Sequence, residues 1–381
     1  MKGFNTRSIH EGEEEKVKDA VTMPIFQTSN FLADDSKYAS ERSETFYTRV
    51  GNPTIGVLER KLASLFAGTG GVFFSSGMGA ITTVFHSFLK HGDNIVVSKN
   101  VYGGTQSLLR ELPDEGVEVR RFDQSDYGSI TGLLDARTRI VYVESMVNPN
   151  LILTDIEAVK AGISSSDALL VVDNTFLSPY NFRPLEFGAD VDIQSLTKYI
   201  NGHSDVVAGF AGFKNPETES KVRRKMVQFG TNGAPFDAFL VNRGVKTLGP
   251  RMEIHNRNAL AIANYLKDRP EVLRISYPGL GRVPDCYGNC PGFGGVVYFE
   301  MRDRETAKRF MRSCSIFQEA TSLAGVESLV TVPSLTSHAS FKESELAEAG
   351  ISPGGIRLSA GIEDIQDLIE DIKWAIKECV R

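Results

Sequence analysis

The sequence is poor in cysteine, histidine and tryptophan. Its 381 residues include four cysteines, six histidines and one tryptophan. Four cysteines are too few for a disulfide framework in a chain of this length. Cys286 and Cys290 share the run CYGNC, but no second Cys/His pair follows at the spacing of a zinc finger. The sequence therefore predicts a reduced loop at this place and no metal site.

Long apolar runs and an excess of positive charge are also missing. No apolar stretch approaches the roughly 20 residues of a membrane-spanning helix. The first residues, MKGFNTRSIHEGEEEK, lack the apolar core of a signal peptide. Lys and Arg number 42 against 48 Asp and Glu, and the net charge of −6 gives no reason to expect nucleic acid or an anionic membrane. We therefore expect a cytoplasmic protein with neither nucleic acid nor membrane as partner.

The hydrophobic pattern divides the chain into three parts. Residues 1–54 show no sustained period and predict an N-terminal arm that contacts a neighbouring subunit. Residues 55–235 alternate short apolar β-rich runs with helical segments, which is typical of an α/β domain with a mostly parallel central sheet covered by helices on both faces. Residues 236–381 predict a smaller C-terminal α+β domain. Strands of the central sheet are expected at 71–75, 94–98, 117–122, 139–144, 168–173 and 190–195.

Polar residues with a specific chemistry follow two of these strands. Asp173 ends the apolar run ALLVVD, so its carboxylate points into a dry crevice and requires a partner. Further along, Lys198 follows Ser195 and Thr197 at the end of another strand. A desolvated lysine amine can form an imine with an aldehyde, and the hydroxyl groups can bind a phosphate.

A glycine-containing turn adds a second phosphate-binding element. The run SSGMGA (75–80) leaves a strand and enters a helix, so the backbone N–H groups of Gly77 and Met78 face an anion at the helix N-terminus. Such a turn alone is a weak signal. Together with Asp173 and Lys198, however, it makes up the set that pyridoxal 5'-phosphate (PLP) requires: a lysine for the Schiff base, an acid for the pyridine nitrogen and a phosphate cup.

At these residues the chain resembles the cystathionine γ-synthase/γ-lyase family of PLP-dependent enzymes. The resemblance implies the aspartate-aminotransferase-like PLP-dependent transferase fold (fold type I), a PLP cofactor and a small amino-acid substrate. It also implies a homo-oligomer, expected as a dimer of dimers. The matching blocks run in order along nearly the whole chain: YTRVGNPT (47–54), SSGMGA (75–80), VYGGT (101–105), ESMVNP (144–149), DNTFLSPY (173–180), SLTKYINGHSD (195–205), SLAGVESL (322–329), TSHAS (336–340) and RLSAGIED (357–364).

The resemblance also implies a role for each matching residue. Lys198 would form the Schiff base and shuttle protons, Asp173 would pair with the pyridinium nitrogen, and Tyr102 would stack on the ring and act as an acid/base partner. The other cofactor contacts would come from Gly77, Met78, Thr175, Ser195 and Thr197, together with Tyr47 and Arg49 of a neighbouring subunit. The substrate α-carboxylate, which suits a guanidinium fork, would be received by Asn148, Ser322 and Arg357.

Three departures from the family pattern bear on the reaction. Family members that handle cystathionine often carry an acid, an arginine and a glutamate at the positions of Phe46, Ser107 and Thr321, and these groups suit the distal ends of a zwitterion. The uncharged residues found here look more like the methionine γ-lyase and O-acylhomoserine sulfhydrylase branches, whose leaving groups are small or uncharged. Gly104, on the other hand, stands where methionine γ-lyases typically carry a cysteine.

Three hypotheses follow from these residues. The first is a PLP-dependent γ-elimination or γ-replacement enzyme for methionine-like or O-acylhomoserine substrates, with a thiol or sulfide as acceptor in the replacement reaction. The second is cystathionine γ-synthase or cystathionine γ-lyase proper, with other residues recognising the distal group. The third is a catalytically silent PLP-binding protein, which the intact Lys198, Asp173 and Arg357 disfavour.

Overall fold

The computed structural model describes residues 2–32, 44–336, 346 and 350–379. Its strands are β1 (Gly70–Phe74), β2 (Asn94–Ser98), β3 (Glu118–Phe122), β4 (Thr138–Glu144), β5 (Leu169–Asp173), β6 (Val191–Ser195), β7 (Gly209–Phe213), β8 (Arg274–Ser276), β9 (Val296–Glu300), β10 (Gln318–Glu319), β11 (Leu329–Thr331) and β12 (Gly355–Ser359). Its α-helices are α1 (Phe4–His10), α2 (Pro53–Leu65), α3 (Gly77–Phe88), α4 (Gly103–Glu111), α5 (Ile156–Gly162), α6 (Ser178–Asn181), α7 (Pro216–Phe229), α8 (Pro235–Val245), α9 (Leu248–Lys267), α10 (Arg304–Ser313) and α11 (Ile365–Cys379).

The larger sheet has seven strands in the order β1-β7-β6-β5-β4-β2-β3. Strands β2 to β6 pair in parallel, whereas β7 runs antiparallel to both of its neighbours, β1 and β6. The six strands expected from the sequence are all present within one residue at each end. The seventh, β7, is the run GFAGF, whose two glycines weaken its β pattern. The expected mostly parallel central sheet is therefore confirmed.

Two helices begin at capping side chains that fix the chain around this sheet. The Asn52 side chain accepts a hydrogen bond from Thr54 N at 3.0 Å, and Pro53 occupies the first turn of α2. The Ser76 hydroxyl accepts one from Gly79 N at 2.9 Å and so starts α3. Because α3 follows β1 with only two residues between them, its N-terminus faces the ends of the parallel strands.

The C-terminal part forms a second sheet of five strands in the order β10-β11-β12-β9-β8. Helices α10 and α11 pack against each other, and α10 also packs against β12. The Asp371 carboxylate of α11 accepts the backbone N–H groups of Ser315, Ile316 and Phe317 at 2.7–3.0 Å and fixes the loop that leads to β10. This sheet presents β12 and its Arg357 toward the larger sheet.

The first residues of the predicted arm pack against their own chain. Helix α1 contacts α2 and α9. Just beyond it, the buried Glu13 carboxylate forms ion pairs with Lys61 at 2.7 Å and Lys246 at 2.9 Å. Within the described residues, no helix is long and apolar enough to span a membrane. Contact between the arm and a neighbouring subunit stays a prediction.

Candidate active site

A cavity of about 490 Å³ lies where the carboxyl ends of β4, β5 and β6 face the loop before β11 and strand β12. This is the edge at which parallel α/β sheets bind ligands. Most of the predicted cofactor and substrate residues line it: Gly77, Met78, Tyr102, Asn148, Asp173, Thr175, Ser195, Thr197, Lys198, Ser322 and Arg357. The structure thus brings together residues that are separated by up to 280 positions in the sequence.

Asp173 lies deep in the cavity at the end of β5. Its carboxylate accepts hydrogen bonds from Thr175 N at 3.0 Å and from the Tyr142 hydroxyl at 3.4 Å. Burial raises the pKa of Asp173, and among the described residues no lysine or arginine neutralises the carboxylate. A cationic N–H group would supply the missing partner, as the protonated ring nitrogen of PLP does.

The N-terminus of α3 and the end of β6 form a cup that could hold a phosphate. A Cβ atom on Gly77 would lie 2.9 Å from the Ser195 Cβ, so any side chain at that position would fill the cup. On β7, a Cβ atom on Gly209 would lie 2.2 Å from the carbonyl oxygen of Ser76, which explains a glycine in this strand. Backbone N–H groups at a helix N-terminus favour an anion.

The Lys198 amine projects into the cavity and donates a 2.6 Å hydrogen bond to the Ser322 hydroxyl. Burial, followed by the positive charge of Arg357, lowers the pKa of Lys198 to about 8. A larger fraction of this amine is therefore neutral near pH 7 than for an ordinary lysine. Only the neutral amine can attack an aldehyde to form an imine.

Arg357 on β12 is 4% exposed and closes the cavity from the C-terminal side. Its Nη1 donates to Asn148 Oδ1 at 3.0 Å, and its Nη2 donates to the Ser322 carbonyl at 2.6 Å. The Nε–H group is buried without a protein partner among the described residues. Burial lowers the pKa of Arg357 to about 10. A buried guanidinium with an unused donor suits a carboxylate ligand.

Tyr47 and Arg49 lie outside this cavity in the single chain. Tyr47 is 40% exposed, and Arg49 Nη1 contacts the Val227 carbonyl at 3.4 Å on another part of the surface. Their predicted role at the phosphate of a neighbouring subunit therefore stays a prediction.

The three residues predicted to set substrate choice are separated in the structure. Thr321 lines the cavity, whereas Phe46 and Ser107 do not. The Ser107 hydroxyl donates to the Gly103 carbonyl of its own helix at 3.1 Å. Of the TSHAS block, Thr336 lines the cavity and residues 337–340 lie outside the described residues.

Glu144 is an acidic cavity residue that sequence reasoning did not single out. Glu144 ends β4 and pairs in register with Asp173 on β5. It is 4% exposed, and its carboxylate accepts a hydrogen bond from Tyr102 N. Burial, followed by the nearby Asp173, raises the pKa of Glu144 well above its usual value. An acid at the end of the apolar run RIVYVE was the available signal, as it was for Asp173.

The cavity offers suitable residues for each functional group of PLP. Lys198 could bind the aldehyde carbon, the unneutralised Asp173 the ring nitrogen, and the N-terminus of α3 the phosphate. Within the described residues, no group of His, Cys, Asp or Glu could hold a metal ion. The fold and the cavity together define a PLP-dependent enzyme of fold type I.

Comparison with known proteins specifies the family. The family model for Cys/Met metabolism PLP-dependent enzymes matches residues 5–377. An L-methionine gamma-lyase from Pseudomonas deceptionensis is 40% identical, with 98% of this chain and 97% of that protein covered. A cystathionine gamma-lyase from Dictyostelium discoideum is also 40% identical, with 99% and 98% covered.

A solved structure is similar over the same length. The cystathionine gamma synthase of Xanthomonas oryzae pv. oryzae in complex with cystathionine superposes with a TM-score of 0.94 at 37% identity, covering 100% of this chain and 99% of that one. The chain belongs to the Cys/Met metabolism family of PLP-dependent enzymes. The predicted family, fold type, cofactor and enzyme class, a PLP-dependent lyase or transferase of trans-sulfuration, are therefore confirmed.

Proposed function

We propose that this enzyme eliminates or replaces a small or uncharged γ-substituent of a methionine-like or O-acylhomoserine substrate. The observation that carries the proposal is the scarcity of charge in the cavity. Among the described residues that line it, the only acidic or basic ones are Glu144, Asp173, Lys198 and Arg357. If Asp173 and Lys198 serve PLP and Arg357 serves the α-carboxylate, no basic side chain is left for a second carboxylate.

The cost of binding cystathionine in such a cavity can be estimated. Its distal end carries an ammonium group and a carboxylate. A charged group that is buried without a partner costs about 1–3 kcal/mol or more. Thr321 and Leu323 face the cavity on the side of the C-terminal domain and offer neither charge. We therefore expect a thiomethyl or acyl leaving group to be preferred over a cysteinyl group by about tenfold or more in kcat/KM.

The proposed residues would divide the work between binding and proton transfer. Arg357 and Asn148 would hold the substrate α-carboxylate and orient the Cα–H bond. Lys198, held by Ser322, would take and return protons next to Cα, for which an amine with a pKa of about 8 is suited. Asp173 would hold the ring nitrogen, and Tyr102 would cover the ring. When bound, PLP supplies the electron sink for negative charge at Cα.

We further propose that the active enzyme is a dimer of dimers in the cytoplasm. The proposal rests on the family resemblance of the YTRVGNPT block and on the position of Arg49 outside the cavity of its own chain. Light scattering of the purified protein tests the assembly. A fully active monomer would contradict it.

Product analysis tests the proposed reaction. The purified enzyme is incubated separately with methionine, with cystathionine, and with O-acetylhomoserine plus sulfide. The proposal predicts a 2-oxo acid with ammonia and methanethiol from methionine, or homocysteine from the third mixture. Turnover of cystathionine alone would instead favour cystathionine γ-lyase. Cystathionine formed in a fourth mixture, of O-acetylhomoserine with cysteine, would favour cystathionine γ-synthase. Thr321→Glu serves as a matched variant, because it returns one charge to the cavity.

A further inference from the structure

The buried Glu144 carboxylate joins two loops of the active site. Glu144 is the last residue of β4 and lines the cavity beside Asp173. It accepts the backbone N–H of Tyr102, at the start of α4. The backbone N–H of Asn148, in the loop after β4, also lies close enough to favour the charged form of the carboxylate. The Glu144 carboxyl group thus hydrogen-bonds the main chain of Tyr102 and lies near the main chain of Asn148.

The start of α4 has no such support from the side chain of its own cap residue. Tyr102 is the N-cap residue of α4, and its side chain makes no capping hydrogen bond. A carboxyl oxygen at this position accepts an N–H group that the helix itself leaves without a partner. The Tyr102 side chain is 44% exposed and faces the cavity. The hydrogen bond between Tyr102 and Glu144 is made by the backbone N–H of Tyr102 and not by its side chain.

Through Asn148, the Glu144 carboxyl group is also linked to the residues proposed to bind the substrate α-carboxylate. The Asn148 side chain accepts the 3.0 Å hydrogen bond from Arg357 and is itself 6% exposed. A shift of its backbone would therefore change the position of the amide that orients the guanidinium.

A neighbouring acid shows what sets Glu144 apart. Asp192 on β6 is also buried, but among the described residues its carboxylate accepts hydrogen bonds only from the Gln194 side chain of the same strand, at 3.3 and 3.4 Å. Asp192 does not line the cavity. Both acids are thus buried near Asp173. Of the two, Glu144 is the one that lies against the Tyr102 and Asn148 loops.

We propose that Glu144 is a positioning residue that holds the main chain of Tyr102 and Asn148, and so fixes the ring-covering and carboxylate-binding groups relative to each other. This inference rests on the proposed roles of those two residues. It predicts that a substitution of Glu144 has two measurable effects. PLP affinity falls because Tyr102 is misplaced, and the KM for the amino acid rises because the Asn148–Arg357 pair is misplaced.

The test uses Glu144→Gln and Glu144→Asp in the full chain. Glutamine keeps the size but replaces one accepting carboxyl oxygen with a donating NH2 group, and aspartate keeps the carboxyl group but withdraws it by one methylene. PLP is titrated into the cofactor-free protein to measure Kd, which does not depend on which reaction the enzyme catalyses. We expect each variant to weaken PLP binding by about tenfold and to raise KM by a larger factor than it lowers kcat.

A matched control separates positioning from general stability. Asp371→Asn also removes a buried carboxylate that holds backbone N–H groups, but far from the cavity. It is expected to lower the melting temperature without changing the Kd for PLP. A thermodynamic cycle adds a second criterion. If Glu144 acts through Tyr102, then Glu144→Gln has little further effect on PLP affinity once Tyr102 has been changed to Ala.

The outcomes are distinct. Unchanged Kd and KM in both Glu144 variants would overturn the inference, as would effects on PLP affinity that add fully to those of Tyr102→Ala. Variants that fail to fold, while Asp371→Asn folds, would assign Glu144 to the stability of the sheet edge and would also overturn it. If the proposed substrate is wrong, the KM measurement has to be repeated with the correct amino acid. The PLP titration and the cycle keep their meaning.

Discussion

The environment of Lys198 predicts how capture of PLP by the cofactor-free enzyme depends on pH. With a pKa of about 8, about one tenth of the Lys198 amine is neutral at pH 7. An ordinary lysine with a pKa of about 10.5 would be neutral in only about one molecule in 3,000. Because the neutral amine is the nucleophile, the structure gives Lys198 an advantage of a few hundredfold at neutral pH.

The rate of PLP capture should therefore rise about tenfold between pH 7 and pH 9 and level off above the pKa of about 8. The assay is rapid mixing of cofactor-free enzyme with PLP, followed by the absorbance of the lysine-bound cofactor. A small lysine derivative mixed with PLP under the same conditions corrects for the ionisations of PLP itself. Lys198→Ala should give no covalent product at any pH.

A second perturbation tests the cause of the lowered pKa. Burial is the larger cause, and the positive charge of Arg357 is the smaller one. Arg357→Met removes the charge that disfavours the ammonium form, so the midpoint should move upward but stay below 10.5. A midpoint near 10.5 in the wild-type enzyme, or capture that does not depend on Lys198, would refute the reasoning.

Three further predictions concern catalysis, assembly and substrate choice. Asp173→Asn should lower kcat by about 100-fold or more, because a neutral amide cannot stabilise a protonated ring nitrogen; steady-state kinetics with PLP in excess check this, and an unchanged kcat would contradict the role. Arg49→Ala should weaken PLP binding, and mixing it with Lys198→Ala should restore part of the activity if a hybrid dimer contains one intact site. Mixtures without any recovery would place Arg49 outside the neighbour's site. Thr321→Glu should shift preference toward cystathionine more than Ser107→Arg does, because only Thr321 lines the cavity; competition between substrates measures the shift, and equal effects would argue against this difference.

The central sheet was predictable because its strands are short apolar runs that helices separate. The run GFAGF of β7 was missed because its antiparallel pairing with β1 and β6 does not show in a pattern of alternating strands and helices. The short β10 and β11 were missed for a related reason. With two and three residues, they are too short to show a period.

The candidate site was predictable where one residue type serves one chemical need. Lys198, Asp173 and Arg357 have side chains that few other functions require in those positions, and the structure places all three in one cavity. Glu144 also ends an apolar run, as Asp173 does, but its contacts with backbone N–H groups have no sequence signal that would assign it a role. Phe46 and Ser107 were grouped with Thr321 by sequence, yet only three-dimensional structure shows that Thr321 alone lines the cavity of the single chain.

The central claim is that, among the described residues that line the cavity, no basic side chain is left for the carboxylate of a second amino-acid group. The most direct test compares kcat/KM of the wild-type, PLP-saturated enzyme for methionine, for O-acetylhomoserine with sulfide, and for cystathionine under identical conditions. The account predicts that methionine or O-acetylhomoserine exceeds cystathionine by about tenfold or more. A higher kcat/KM for cystathionine than for both other substrates would contradict it.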